Sequence, residues 1–166
     1  MNISDKMQDA LNRQINMEQA SAHAYLAMAA WFESRSLNGF GHWMRLQSQE
    51  ETEHAMKFLD YLQDRGGNVR LRAIPEPVDA FDSPLHAFEA SLDQERKVTA
   101  SIHQLYELAH VEKDFATVSM LKWFVDEQVE EENAAGEMVD RLKLAGDQPN
   151  ALLLLDSMAA KRSAPD

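Results

Sequence analysis

Glu51 and His54 are the first pair in this chain whose types and spacing could do chemistry: a carboxylate and an imidazole, together able to hold a metal ion or share a proton. Three residues apart, they stand roughly 60° apart on a helix turning about 100° per residue, so they share a face. They lie in the run Gln49-Glu50-Glu51-Thr52-Glu53-His54, at the centre of an amphipathic pattern over 40–61. Gln47 before them, and Phe58 and Tyr61 after them, continue a stripe that should point inward. An unpaired carboxylate in a core costs several kcal/mol, so this pair is either hydrogen-bonded or neutralised by a cation.

Similar interruptions recur along the chain. Glu18 sits within the stripe Leu11, Ile15, Ala22, Tyr25, Ala29, Phe32, and Glu95 within Phe88, Leu92, Thr99, Ile102, Tyr106, Ala109. Gln128 and Glu131, again three apart, interrupt Leu121, Phe124, Ala135, Met138, Leu142, Ala145. One buried Glu or His alone reads as a hydrogen-bonded structural residue. Four carboxylates converging in one layer would repel one another, and two divalent ions would balance them. Oxygen-rich ligands with one imidazole suit iron, manganese or zinc, with open positions for oxygen or water. The chain has no Cys, which removes thiolate zinc sites, iron-sulfur clusters and thiol nucleophiles.

The elements that must position these residues are helices. The first is expected from a Ser4 cap to about 36, and the second from 40 to 65, ending at Gly66-Gly67. A connection as short as 36–39 makes them antiparallel neighbours. The stretch 66–83, with Pro75 and Pro77, is a crossover of roughly eighteen residues, long enough to set the third helix parallel to the second. Ser83-Pro84 starts the third helix, and the polar break 110–114 leads to a fourth that closes at Gly146. The expected fold is all-α: a four-helix bundle over about 4–145 with a long crossover between helices two and three, plus a short fifth helix over about 150–160. The consecutive Leu152, Leu153, Leu154 and Leu155 cover the whole circumference of that last helix, which should be packed on all sides with help from neighbouring subunits.

Length and charge set the outer bounds. The 166 residues make one domain, 1–166, with only 6 Gly and 5 Pro. A net charge of -12, from 28 acidic and 16 basic residues, argues against a nucleic-acid partner and suits cations. No apolar stretch approaches the ~20 residues of a membrane span, and the first residues lack a secretory pattern, so a soluble cytoplasmic protein is expected.

Taken together, the motifs resemble the ferritins, specifically the non-haem bacterial-type ferritins related to the animal heavy chain. Converging carboxylates from four helices are already described for ferritin-like di-iron bundles. The resemblance rests on Asn16-Met17-Glu18 with Tyr25 a heptad on, Gln49-Glu50-Glu51-x-x-His54, Glu95, and Trp123-Phe124-Val125-x-Glu127-Gln128-x-Glu130-Glu131. It covers essentially the whole chain. It implies an iron-storage ferroxidase: Glu18, Glu51 and His54 on a first iron with Glu51 bridging, Glu95 and Glu131 on the second, and Gln128 beside them. Fe(II) would be oxidised by O2 or H2O2 and stored as ferric mineral in a homo-oligomeric cage of 24 subunits, the fifth helices meeting at fourfold axes.

The pattern departs from the di-iron bundles in one place. Gln128-x-x-Glu131 replaces a second Glu-x-x-His, so only one iron is expected to have an imidazole ligand. Thr52 stands where a haem-binding bacterioferritin would have Met, so no haem is expected. Glu50 is rotated about 100° from Glu51 and cannot readily serve the same dinuclear site. With Glu127 and Glu130 it is either solvated surface acid or, by the resemblance, a third iron site. Trp123 reads as a core aromatic, and Tyr25 either as another or as a phenol that bonds a ligand and supplies an electron. Phe40 cannot do such redox work, and His23, His42, His86, His103 and His110 lack partners at ligand spacing. The rivals are a DNA-protecting mini-ferritin, a rubrerythrin-like di-iron peroxidase, and a helical cage or adaptor whose core acids form an unmetallated network.

Overall fold

The computed structural model describes residues 3–163. Ser4 caps α1 (Asp5–Glu33), its side chain accepting from the Met7 backbone N–H at 3.0 Å. The helix stops short of the expected 36, because Ser36 takes a left-handed φ of 60° in the turn. α2 (Asn38–Asp64) starts two residues before Phe40, and its own N-cap, Leu37, supplies no side-chain bond. Past Arg65, Gly66 at φ 73° ends it, a conformation that costs glycine nothing. Ser83 caps α3 (Pro84–Val111) by accepting from His86 N at 3.1 Å, with Pro84 in the first turn. Asp114 caps α4 (Phe115–Ala145), and Gly146 at φ 52° closes it ahead of α5 (Pro149–Ala159).

The bonds between helices give the topology. Ser48 reaches the Ala22 carbonyl and Arg45 reaches Glu33, so α1 and α2 are antiparallel. Tyr25 meets Glu95 and Gln14 meets Ser101, so α1 and α3 are antiparallel too, and α3 therefore runs parallel to α2 as expected. The crossover, residues 65–83, lacks helix or strand but is tied down. Asn12 donates to the Asn68 carbonyl at 2.9 Å and accepts from Arg70 N at 2.6 Å, and Asn16 donates to the Ala73 carbonyl at 3.3 Å. No described helix is long and apolar enough to cross a membrane.

Two apolar clusters divide the core. One gathers Tyr25, Phe32, Phe40, Met44, Phe88 and Met138; the other gathers Leu11, Ile15, Phe58, Leu62, Ile102 and Phe124. The polar layer lies between them, which holds its residues in place from both ends and keeps water out.

The inward stripe of α3 corrects the expected one. Ser91, Val98 and Leu105 are buried, whereas Leu92, Thr99 and Tyr106 are only half-buried at the flank. The buried set Phe88, Ser91, Glu95, Val98, Ile102, Leu105 and Ala109 keeps the heptad spacing; on either side of the line through Glu95 two flanks are open, and the neighbouring helices cover the one that holds Ser91, Val98 and Leu105. On α4 the stripe from Leu121 through Leu142 is buried throughout.

α5 lies against α2 and α4 at one end of the bundle. Its Asp156 Oδ1 accepts from Phe40 N at 2.8 Å, supplying from outside the cap that α2 lacks. The approach is so close that a Cβ on Gly39 would sit 1.7 Å from the Asp156 backbone oxygen. Leu152 and Leu155 pack on the bundle, while Leu153, Leu154 and Met158 are exposed. One face of this helix is thus covered within the chain and the other is not.

Candidate metal centre

Each helix of the bundle delivers acid or imidazole to one depth because its polar residues replace apolar ones on the buried stripe. Glu18 comes from α1, Glu51 and His54 from α2, Glu95 from α3, and Gln128 and Glu131 from α4, and none is more than 6% exposed. Glu18, Glu51 and His54 each place a ligand atom within 4.8 Å of the others. His54, Glu127 and Glu131 form a second such trio, so the imidazole is shared between the two. Glu95 joins neither trio among the described residues, although it lies close enough to Glu131 and Glu18 for their charges to act on it.

A web of neutral donors orients these acids. Gln14 Nε2 donates to Glu18 Oε1 at 2.8 Å, and Ser101 Oγ in turn donates to Gln14 Oε1. Gln47 Nε2 donates to Glu131 Oε2 at 2.8 Å. Tyr25 OH donates to Glu95 Oε1 and lies 3.1 Å from Ser91 Oγ. Gln128 Nε2 reaches the other oxygen of Glu95 at 3.2 Å, and Thr99 Oγ1 also at 3.2 Å.

What these donors leave over is informative. Glu18 Oε2 and both oxygens of Glu51 are buried with no hydrogen-bond partner. Such atoms have lost water, and what can satisfy them is a proton held between Glu18 and Glu51 or a cation in the space between them. The burial and the crowding show in their proton affinities. Burial, then the Glu51 charge, holds Glu18 well above the usual carboxylate range; burial, then Glu95, does the same to Glu51. Burial and Glu131 push Glu95 up to about 7 against the pull of its bonds to Tyr25 and Gln128. Burial, then Glu95 and Glu51, raises the Tyr25 phenol as well. Acids pushed this way, with free oxygens facing one imidazole, can bind hard or borderline divalent ions on displacement of their protons.

The flanking acids separate into different settings. Glu50 is buried, pushed up to about 7 by that burial although Arg162 pulls it down, and Arg162 Nη2 holds its Oε2 at 2.9 Å. Glu127 is half-buried and raised by burial, and Glu130 is exposed and belongs to neither trio. Trp123 is not a core residue: it is 40% exposed, capped by Lys57 Nζ at 3.3 Å from its ring centroid. Its ring meets His54 edge-on at 5.5 Å, and the inward positions beside it belong to Phe124 and Leu121. His23, His42, His86, His103 and His110 join no metal-holding group among the described residues.

Sequence reasoning does not pick out Gln14, and it reads 161–166 as a frayed end; Arg162 is instead held in place, while 164–166 lie outside the described residues. Gln14 stands four residues before Glu18, the spacing of a helical side-chain pair, and could have been found that way. Arg162 meets Glu50 from 112 residues away, and no local pattern marks it.

Residues 8–145 match the model of the ferritin-like domain family. The chain is 44% identical over 161 residues to a bacterial non-heme ferritin of Staphylococcus saprophyticus, covering 97% of this chain and 96% of that one. A bacterial non-heme ferritin of Staphylococcus aureus is 41% identical, with 97% of each chain covered. Among solved structures, an open pore ferritin from the hyperthermophilic archaeon Archaeoglobus fulgidus superposes with a TM-score of 0.97 at 52% identity, over 98% of this chain and 100% of that one.

Proposed function

The chain belongs to the ferritin family of iron-handling proteins, and we propose that it is a ferroxidase that loads a storage cage with ferric mineral. The observation that carries this reading is the set of orphaned oxygens, Glu18 Oε2 and both of Glu51, buried against His54. In the proposed centre Glu18, Glu51 and His54 take a first ferrous ion with Glu51 bridging, and Glu95 and Glu131 take the second. Gln128 and Tyr25 hold Glu95 by its two oxygens. Glu50, Glu127 and Glu130 supply a third cation position on the flank. Iron is substrate and cargo here, and Thr52 offers no haem ligand.

Two ions in one centre let a two-electron acceptor be reduced in one place. Two ferrous ions, one dioxygen and two protons become two ferric ions and one hydrogen peroxide; peroxide can itself serve as oxidant. The chain's part is to hold both ions with open coordination positions in a water-poor layer. Carboxylates that surrender protons on metal binding then carry the negative charge that favours the ferric state. The exposed Leu153, Leu154 and Met158 of α5 would be covered by neighbouring copies in a 24-subunit shell, the single domain 1–166 serving as its unit in the cytoplasm.

Anaerobic loading with ferrous iron, followed by oxygen, tests the reading. Rapid oxidation of about two irons per chain, with growth in particle mass, is expected. Slow oxidation matching protein-free solution would sink the ferroxidase, and a stable monomer in size-exclusion chromatography would sink the cage.

A further inference from the structure

The segment after α5 carries a cation back into the acid layer. The backbone N–H groups of Lys161 and Arg162 turn onto the carbonyls of Met158 and Ala159, both at 3.1 Å. His42 Nε2 donates to the Arg162 carbonyl at 2.9 Å, and the guanidinium lies 4.3 Å from the centroid of the Trp43 ring. Thus placed, Nη2 donates to Glu50 at 2.9 Å and 3.3 Å, one bond to each oxygen, while Nη1 is buried without a partner among the described residues. The side chains of the pair are only 19% and 8% exposed.

An exposed ion pair would mean little. This one is screened from solvent; the His42 bond holds the Arg162 backbone and the Trp43 face holds its guanidinium, so little entropy is lost in meeting the carboxylate. Glu50 precedes Glu51 directly and sits among Glu127, Glu131 and His54, whose charges it feels. A divalent ion on Glu50 would occupy the place where Nη2 now stands. With Nη2 bonded to both oxygens, a divalent ion at bonding distance would stand against a fixed positive charge with no separate oxygen left for it.

We propose that Arg162 is a built-in competitor for the third cation position: a metal ion takes Glu50 only when the guanidinium leaves it. The tail of α5 therefore sets how tightly that position binds, and the two-ion centre at Glu51 and His54 is left alone. The proposal rests on the reading of Glu50 as part of a third cation position. Arg162 is a positioning residue, not a ligand.

Zinc, which does not change oxidation state, separates the possibilities in titration calorimetry of the assembled protein. Arg162→Ala is expected to tighten a third zinc equivalent at least tenfold and to leave the first two within twofold. The double variant Arg162→Ala/Glu50→Gln should lose that gain, since the effect runs through the Glu50 carboxylate. Arg162→Lys, which keeps the charge but not the two-pronged grip, should show a smaller gain and carries the test if Arg162→Ala fails to assemble. An unchanged third equivalent, a gain that survives the double variant, or an equal shift of all three would overturn the competitor role. Failure of the wild-type protein to bind two equivalents would instead sink the two-ion centre itself, and so is distinguishable.

Discussion

Zinc binding at pH 6 should strip protons from carboxyl groups, and the amount follows from the layer. Glu95 is pushed up to about 7 from an ordinary value of 4.5. One pH unit below the first value roughly 0.9 of it carries a proton, against roughly 0.03 for an ordinary carboxyl. Glu18 and Glu51 are raised in the same direction and add to the release. The Glu95 proton alone weakens apparent zinc affinity about tenfold per pH unit as pH falls below 7, or about 1.4 kcal/mol per unit. The same shift has a sign for the metal-free protein. Folded Glu95 keeps its proton to about 7 and the unfolded chain loses it near 4.5, so its contribution to stability is fully present below 4.5 and is lost as pH rises through 7. Infrared difference spectroscopy separates protonated carboxyl from carboxylate without interference from imidazole protons. Addition of zinc at pH 6 should remove at least about 0.9 carboxyl C=O oscillator per chain, with most of that Glu95 share missing in Glu95→Gln. A loss below about 0.1 per chain would mean that the acids are ordinary and the crowding argument is wrong.

The other expectations follow from single contacts. Glu51→Ala or Glu95→Ala should drop iron oxidation to the protein-free rate in stopped-flow absorbance while size exclusion still shows the full assembly; persistent rapid oxidation would unseat the site. Tyr25→Phe removes a donor that lowers Glu95, so the infrared midpoint of Glu95 should move up and the folded state should lose about 1.5–3 kcal/mol in urea. Gly39→Ala would drive a methyl into the Asp156 backbone, 1.7 Å away, displacing α5 at a cost of about 1–3 kcal/mol, visible as a lower thermal midpoint and altered assembly. Arg65→Ala would leave Asp114, a half-buried cap of α4, without the guanidinium held at 3.0 Å though still bonded by Thr117, costing about 1–2 kcal/mol at neutral pH. Burial works to raise Asp114, but Arg65 and Thr117 outweigh it and hold it below 3.8; that contribution is present above 3.8 and lost as pH falls through the lowered value, so wild type and variant should converge in acid urea titrations.

The bundle, its crossover and the polar layer were legible because helical period is a local property. Glu18, Glu51, His54, Glu95, Gln128 and Glu131 each break an apolar stripe, and a stripe names its own inward face. Ser4, Ser83 and Gly66 mark helix ends through bonds made within a few residues. Trp123 and the α3 flank went astray because a stripe fixes direction only to within a residue, and neighbouring helices decide which side of it is covered.

The sequence by itself therefore determined that four helices would carry carboxylates and one imidazole to a common depth, since spacing along a helix sets both face and height. Only the tertiary structure decided which oxygens are left bare. Glu18 keeps one oxygen free of the neutral donors because Gln14 takes the other, and Glu51 keeps both because no amide or hydroxyl from another helix reaches it. Glu50, its neighbour, is instead claimed by Arg162. Apart from the Gln14–Glu18 pair, which lies within one helix, those outcomes depend on residues brought together over long stretches of chain, where contact is set by packing and carries no signature in local pattern.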